Sequence, residues 1–505
     1  MFAALLFFFP ALSLAEVSTN IPLESRVYSD LEYLEVRGFI ESGMLSTRPF
    51  TWTEGARLFS EARGRWEAQG SAGKARSARA GAVIRRLARR FEREAPAAPQ
   101  SRDGGRGVAS FRPEKIYLRY VYADNSPFFA SANNNGDELS AHSNLRAGFD
   151  AQLRLPGSIA VYMNPEYRSS EDISDVDLVR GYAIANLGNF QFEAGRDSMW
   201  WGAGHNGNLL ITNNAVPLEM FKLTSRNPFT LPWVFRRLGL IKPTLFLARL
   251  EHNREYPGAN LLGMRLDMRF TPHFQLALNR VFMFGGEGKR SLKFKEWFSI
   301  FTVSDTAERS GSPIDGNQIA SVDASFVYAF SAWYVPATGV KLYTEWGAED
   351  SSGTTKTPSG RANVCGLFLT GPLWLYNADL RVEWANTARN ARYGPTWYEH
   401  AAYSNGYRYR GRVIGHHIGG DKRDLFVRFR YHAASRPITF GIEYEYLKTG
   451  IHSSSPSRKS WYEMDLFYAF NDNFSVKGVS GFEDIEDIKE GRDGYVTGLS
   501  LLWVW

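Results

Sequence analysis

The chain has 505 residues, a formal net charge of +6 and a mean hydropathy of −0.31. After residue 15 no apolar run approaches the 18 or more residues of a transmembrane helix, which excludes a helical integral membrane protein. The single cysteine, Cys365, excludes a disulfide-stapled scaffold. The 46 glycines and the 14 Trp, 24 Tyr and 35 Phe are typical of a chain built from strands and turns.

The beginning of the chain predicts an export signal. Residues 2–14 form an apolar stretch, and Ser13-Leu14-Ala15 fits the small-x-small rule for signal-peptide cleavage. The usual basic residues before this stretch are missing, which fits a longer true N-terminus, and a buried helix is the alternative interpretation. We predict a signal peptide over residues 1–15, and an exported, cysteine-poor chain is typical of the bacterial envelope.

Residues 16–108 predict a small helical domain that precedes the rest of the chain. Val27 and Leu31 repeat on one helical face. Thr51-Trp52-Thr53-Glu54 is a capping box that begins a second helix. For an exported chain of this kind we expect the domain to lie in the periplasm.

The positive charge is concentrated in a basic insert at residues 62–106, which holds twelve Lys or Arg against four Asp or Glu. Val83, Leu87 and Phe91 share one helical face, and arginines surround the rest. The insert is either a basic helix that contacts a membrane surface or an anionic polymer, or a solvated helix and linker. The segment 95–108, with its prolines and glycines, marks a domain boundary. Because the basic charge is local and no base-stacking platform is present, nucleic-acid binding is disfavoured.

From Glu114 to the end of the chain the hydrophobic pattern has period two. Two alternating runs, 425–432 and 438–446, are joined by a short turn and predict a β-hairpin. Roughly 16 to 18 such runs have the ~10-residue length of a tilted membrane strand. One face of these runs is apolar or aromatic and the other carries charges of both signs, as expected for a lipid-facing wall around a polar lumen.

Two further features favour a membrane barrel over a soluble β-sandwich, which also alternates. Short turns alternate with the long segments 198–241, 285–317 and 388–421, as periplasmic turns alternate with extracellular loops. The final run, 499–505, ends on Trp505 and is similar to the C-terminal assembly signal of outer-membrane barrels. We predict an all-β transmembrane barrel over 109–505 in the outer membrane of a Gram-negative-type bacterium.

The densest motif follows the end of a predicted strand. It reads Gly195-Arg196-Asp197-Ser198-Met199-Trp200-Trp201-Gly202-Ala203-Gly204-His205-Asn206-Gly207-Asn208-Leu209-Leu210. Paired indole rings beside planar amides are what a sugar ring needs for stacking and bidentate hydrogen bonding. The alternative is an aromatic girdle at the membrane interface followed by turn residues.

With this motif the chain resembles the Wzi family of capsule-assembly outer-membrane proteins. The resemblance extends over further segments along nearly the whole chain: 21–25, 47–49, 213–215, 220–224, 228–233, 315–323, 343–350, 379–385, 397–400, 403–407 and 415–421. It implies an 18-stranded antiparallel barrel with a small periplasmic helical domain. It also implies a lectin-like role in which the barrel binds and anchors exported capsular or related surface polysaccharide.

This hypothesis makes two sets of residues candidates. We expect the long loops to offer aromatic, imidazole and amide contacts to the glycan: Trp200, Trp201, His205, Asn206, Asn208, Trp397, Tyr398, Tyr403 and Tyr407. We expect an ion-pair network in the lumen: Glu345, Arg381, Glu383, Arg428, Arg430, Glu443 and Glu445.

A metal site is not predicted. His416-His417 lies near Asp421, with His400 and His205 elsewhere in the loops. Adjacent histidines on a regular strand point to opposite faces and cannot both bind one ion, so we expect no metal and no other cofactor.

An enzyme is not predicted either. Ser198 and His205 are seven residues apart and Asp197 is adjacent, but nothing else selects them as a hydrolase site. The competing function is an outer-membrane porin or carbohydrate-uptake channel, which would have an open, like-charged constriction. The expected partners are surface polysaccharide, outer-membrane lipid and, as a further candidate, the polysaccharide export machinery.

Overall fold

A computed structural model of the chain has two units, a group of N-terminal helices and a closed barrel. The predicted signal peptide, 1–15, and the predicted boundary segment, 95–108, lie outside the described residues. The described residues are 17–94, 109–155, 158–290, 293, 296, 316–332, 334–352, 357–388, 397–400, 402–433, 437–486 and 493–505.

The helices of the N-terminal unit are α1 Arg26–Val36, α2 Trp52–Glu67, α3 Ser71–Arg76 and α4 Ala78–Glu94. The Thr51 side chain accepts the N–H of Glu54 at the start of α2, so the predicted cap is confirmed. The predicted apolar face of α4 is buried, and Phe91 stacks on Phe59 of α2 with ring centroids 5.3 Å apart. No helix in the described ranges is long and apolar enough to cross a bilayer.

Eighteen antiparallel strands form the barrel, which confirms the predicted fold class. We number them along the chain. They are β1 Ser110–Ala123, β2 His142–Leu155, β3 Ile159–Ser169, β4 Ser174–Leu187, β5 Phe190–Asp197, β6 Leu218–Ser225, β7 Leu240–Arg249, β8 Asn260–Arg269, β9 Phe274–Phe284, β10 Gly316–Ala329, β11 Gly339–Ser352, β12 Thr357–Thr370, β13 Ala378–Asn386, β14 Lys422–His432, β15 Ile438–Thr449, β16 Ser457–Ala469, β17 Phe474–Ile485 and β18 Gly494–Val504.

Each strand pairs with its neighbours in sequence, and β1 pairs with β18 to close the barrel. Closure leaves no free sheet edge, which is what a strand structure in lipid requires. The outward side chains are large and apolar, among them Phe192, Phe221, Leu499 and Trp503, and they are exposed. Inward positions carry the charged residues, so the period-two pattern separates the lipid-facing wall from the lumen.

The barrel has two distinct ends. We call the end where β1 begins and β18 ends the base, and the opposite end the rim. The prediction of one long loop over 198–241 is wrong, because β6 and a base turn at 226–239 lie within it. Strand β6 has only eight residues and mixes Met220, Lys222 and Thr224 on its buried face, so it lacks a clean apolar and polar alternation.

The helices close the base of the barrel, and the basic insert takes part in this contact. Arg79 of α4 pairs with Asp379 at 2.5 Å, and Arg89 of α4 pairs with Asp472 at 2.6 Å. Glu24, just before α1, lies 2.7 Å from Lys115 of β1. At these two arginines, the insert therefore contacts the barrel, which neither of the interpretations from sequence anticipated.

Candidate functional site

Three rim loops fold into the lumen and fill its upper part. We call these segments, 124–141, 198–217 and 397–421, the plug; residue 401 lies outside the described residues. The motif segment enters the lumen directly after β5 ends at Asp197. Inside, Trp200 and Trp201 pair with Arg48 and Thr47 of the N-terminal unit. The plug therefore contacts the N-terminal unit within the barrel.

Glycines in the motif allow this close approach. Gly202 has a φ of +128°, and a Cβ there would lie 2.1 Å from the Asn208 side-chain oxygen. A Cβ on Gly207 would lie 2.5 Å from the His416 ring. A side chain at Gly202 would displace Asn208 within the segment 198–217, and one at Gly207 would separate that segment from His416 of the segment 397–421.

Carboxylates of the barrel wall hold the plug backbone. Glu383 of β13 accepts N–H groups from His205 at 2.7 Å, Asn206 at 3.0 Å and Gly207 at 3.2 Å. Glu345 of β11 accepts the N–H of Leu209 at 2.8 Å. A buried backbone N–H that is left without an acceptor costs about 1–3 kcal/mol, so these wall side chains stabilise the loop in this position. The acidic residues of the wall thus fix the position of the loop.

Two plug segments are also joined to each other through tyrosine hydroxyls. Tyr398 donates to the Leu209 carbonyl at 2.6 Å, and Tyr407 donates to the Leu210 carbonyl at 3.0 Å. The two rings stack with centroids 5.8 Å apart. The aromatic residues of 397–407 therefore lie inside the plug and hold its segments together.

An enclosed charge network connects the wall to the N-terminal unit. Arg265 of β8 pairs with Asp323 at 2.6 Å and Asp267 at 2.8 Å, and also donates to the Thr47 hydroxyl. Glu32 of α1 lies 2.7 Å from Arg381 and 2.9 Å from Lys341. Burial alone would raise the pKa of Glu32, but these two cations hold it well below its usual value, so this carboxylate stays charged.

The other predicted lumen charges lie on β14 and β15. Arg428 is 3.4 Å from Glu443, and one of its guanidinium nitrogens lies 2.9 Å from Nε2 of His205. Burial, with Arg381 and Arg428 nearby, lowers the pKa of His205 well below its usual value. A neutral imidazole at this position can accept a hydrogen bond from Arg428.

A cavity of about 220 Å³ lies between the plug and the wall at this point. It combines aromatic rings, amides and carboxylates, which is the chemistry that a sugar ring requires. The lining residues are Phe129, Ala130, Ala132, Asn133, His205, Asn206, Phe426, Arg428, Glu443, Glu445, Trp461 and Glu463. The rings of Trp461 and Phe129 stack with their centroids 6.2 Å apart and form one apolar side of the cavity.

The histidine pair lies in the plug, not on a strand, so the prediction that regular β-structure separates the two rings is wrong. Their centroids are 4.9 Å apart. His417 lies 2.8 Å from Glu445. Burial lowers the pKa of both imidazoles, most strongly that of His416. In the described part of the chain no group of three His, Cys, Asp or Glu has a metal-binding arrangement.

The structure separates the nine candidate glycan contacts into two groups. His205 and Asn206 line the cavity. The remaining seven are buried within the plug or against the N-terminal unit: Trp200, Trp201, Asn208, Trp397, Tyr398, Tyr403 and Tyr407. Their burial means that they support loops in this conformation and do not face solvent.

Several cavity residues were absent from the sequence-based candidates. Phe129 and Asn133 belong to a rim loop with an aromatic pair and three consecutive asparagines, a composition that could have marked it. Trp461 and Glu463 occupy inward positions of an ordinary strand, β16. No local signal distinguishes them, because only the folding of the plug brings the cavity to that strand.

Comparison with known proteins agrees with this architecture. The family described as "Capsule assembly protein Wzi" matches residues 112–493 of the chain. The structure of Wzi from Escherichia coli is described as a carbohydrate-binding β-barrel and outer membrane protein involved in group 1 capsule assembly. It superimposes with a TM-score of 0.71 at 16% identity, over 97% of this chain and 100% of that one. This likeness establishes the fold.

Two further comparisons cover less of the chain or superimpose less well. An uncharacterised 55.8 kDa protein from the cps region of Klebsiella pneumoniae is 28% identical over 178 residues, which span 34% of this chain and 33% of that protein. The outer membrane protein OprD from Pseudomonas aeruginosa gives a TM-score of 0.45 at 10% identity, over 77% of this chain and 92% of that one, and this value supports no conclusion. The closed barrel with its apolar outer wall, together with the family match over most of the chain, indicates an outer-membrane location. The chain belongs to the Wzi family of capsule assembly proteins.

Proposed function

We propose that this protein binds exported capsular or related surface polysaccharide and anchors it at the cell surface. The signal peptide comprises residues 1–15, the N-terminal unit over 16–108 lies in the periplasm, and the barrel over 109–505 crosses the outer membrane. The base of the barrel thus faces the periplasm and the rim faces the cell exterior. The glycan meets the rim, and many weak contacts along a repeating polymer supply avidity.

The observation that carries this proposal is the plug. Its backbone is held by Glu383 and Glu345 of the wall, and its loops are joined through Tyr398 and Tyr407. In the described part of the chain, a lumen filled in this way offers a stable binding surface and no wide aqueous passage of the kind expected of a porin. His205 and Asn206 are the candidate residues best placed for direct glycan contact, and the buried candidates position the loops.

We propose further that the protein is not an enzyme. The Ser198 hydroxyl donates to the Asn135 side chain at 2.7 Å, and the His205 ring contacts Arg428. A serine nucleophile needs a base within hydrogen-bond reach, and this arrangement assigns the two side chains to different partners. Polysaccharide and membrane lipid are the proposed partners, with the export machinery as a further partner at the base.

The polysaccharide can be followed in cells that lack the protein. We expect cell-attached glycan to fall and released glycan to rise, while the total amount stays constant, because export does not depend on anchoring. Restoration by the intact chain is the control. Unchanged attachment in the deletion strain would contradict the proposal.

The contribution of the cavity can be tested with His205→Ala, since the side chain lines the cavity and its backbone contact to Glu383 is retained. We expect about tenfold weaker binding of purified protein to the isolated polysaccharide, in line with the loss of one polar contact. His252→Ala, at an exposed rim histidine, is the matched control. Equal binding by both variants would exclude the cavity as the glycan site.

Single-channel recording separates the proposed role from that of a porin or uptake channel. We expect no porin-sized conductance steps from the purified protein in planar bilayers. Large, stable steps from the intact chain would favour the channel instead.

A further inference from the structure

The base turn between β6 and β7 exposes an unusual apolar segment. Residues 233–238 form a 3₁₀-helix that begins after Pro232. Trp233 is 91% exposed, and Val234 and Phe235 are also exposed. Trp233 has a φ of +60°, which is a strained conformation for a non-glycine residue. The Trp233 indole is thus exposed on the turn, and packing against the interior of the described chain does not explain its position.

Other base turns on the same side of the barrel are also exposed and apolar. Phe270 lies between β8 and β9, and Tyr334 lies between β10 and β11. Leu373 and Tyr376 are exposed between β12 and β13. Since these strands follow one another around the wall, the turns form a continuous arc that extends the lipid-facing surface. Aromatic residues are enriched at this depth of a membrane, where an apolar ring can meet both chains and headgroups.

The β6–β7 turn differs from its neighbours because it adds positive charge to the arc. Arg236 and Arg237 are exposed, and no described acidic residue forms an ion pair with either of them. Guanidinium groups bind phosphate through paired hydrogen bonds. Basic residues next to an apolar membrane-contacting segment also favour anionic lipid surfaces.

We propose that the turn 232–238 binds an anionic phospholipid of the periplasm-facing leaflet. Trp233 and Phe235 enter the interface between acyl chains and headgroups, and Arg236 and Arg237 contact the phosphate. Continuity with the lipid-facing wall and the charge of the turn favour this occupant over a water-soluble protein. The inference rests on the proposed orientation of the barrel but does not depend on glycan binding.

Lipid binding to the purified full chain in detergent tests this proposal. Phosphatidylglycerol and phosphatidylethanolamine are titrated separately, and bound lipid is counted by native mass spectrometry. For the double variant Arg236→Gln with Arg237→Gln we expect phosphatidylglycerol binding about thirtyfold weaker, since each basic side chain near an anionic surface contributes about fivefold. Binding of phosphatidylethanolamine should change much less, because that headgroup carries no net charge.

A matched control removes the same charge from the same end of the molecule. Arg63→Gln with Arg85→Gln changes two exposed arginines of α2 and α4, which are not part of the aromatic arc. We expect this control to bind both lipids as the unaltered chain does. Equal losses in the two double variants, unchanged phosphatidylglycerol binding in the turn variant, or an equal loss for both lipids would each overturn the proposal. Glycan anchoring is measured on the same variants, so a failure of the lipid proposal can be distinguished from a failure of the glycan proposal.

Discussion

The two halves of the barrel lumen differ in how far water reaches their charged side chains. Along β5–β13 the inward charges are enclosed, and the Arg265 side chain is 0% exposed. From β14 through β18 to β3 the inward charges are of two kinds: Lys477 of β17 is 39% exposed and Arg119 of β1 is 31% exposed, whereas Arg146 of β2 and Glu445 of β15 are buried. The first half, which we call the enclosed half, packs against the plug and the N-terminal unit. The second, which we call the hydrated half, retains water-accessible space around Lys477 and Arg119.

This difference shows that similar residues have different energetic roles in one barrel. Removing one partner of an enclosed ion pair leaves a charge without solvent or counterion, which costs several kcal/mol. A hydrated pair loses little, because water replaces the missing partner. The enclosed half is therefore part of the structural core, and the exposed charges of the hydrated half are where changes of side chain are tolerated.

The largest expected effect is at Arg265. We expect Arg265→Met to lower the free energy of unfolding by about 3–5 kcal/mol, since Asp267 and Asp323 lose their enclosed cation. Urea titration of the folded protein in detergent, followed by tryptophan fluorescence, measures this change. Lys477→Met in the hydrated half is the matched variant, with an expected change below about 1 kcal/mol. Similar losses in both would contradict the division of the lumen.

A second prediction concerns the glycine that lets the plug fold into the enclosed half. We expect Gly202→Ala to lower the free energy of unfolding by about 1–3 kcal/mol more than Gly411→Ala does, because its Cβ would overlap Asn208. Gly411, also in the plug, has a φ of +82° but no neighbour within 4 Å of its Cβ position. The control therefore carries the backbone strain without the overlap. Equal destabilisation would mean that packing at Gly202 is not limiting.

A third prediction follows from the lowered pKa values of His416 and His417 in the plug. Below about pH 6.5 the unfolded chain takes up protons at these residues that the folded chain does not bind. Stability is therefore full above this pH and is lost as the pH falls, by up to about 1.4 kcal/mol per pH unit for each histidine. Unfolding titrations between pH 7 and 5 measure the slope.

The slope should become smaller in His417→Gln and stay unchanged in His252→Gln, whose side chain is exposed. An identical slope in both variants and the unaltered chain would assign the pH dependence to other groups.

The smallest expected effect on the structure comes from single cysteine substitutions, whose rates of modification by a thiol reagent compare the two halves of the lumen. In a Cys365→Ser background, Ser500→Cys places a thiol between the hydrated Lys477 and Arg119, and Ser321→Cys places one beside Glu345 in the enclosed half. We expect a small water-soluble thiol reagent to modify the first at least about tenfold faster, because the second requires local opening. Comparable rates would contradict the difference in hydration.

Much of the fold was predictable because it depends on local pattern. The period-two alternation identified the barrel wall, and Thr51 marked the start of α2. Strand β6 was missed, since its short run carries no clean alternation. The site was less predictable: the motif at 195–210 marked an important loop, but Trp200 and Trp201 lie inside the barrel against Arg48 and Thr47.

The sequence by itself determined the all-β barrel and the faces of its strands, because these depend on residue spacing within each run, and its motifs carried the resemblance to the Wzi family. Tertiary structure alone decided which charges are enclosed, where the cavity lies and what the basic insert contacts. Glu383, His205 and Trp461 are distant in the chain and meet only when the plug enters the lumen. Enclosure from water is a property of that assembly, so no local spacing of residues could specify it.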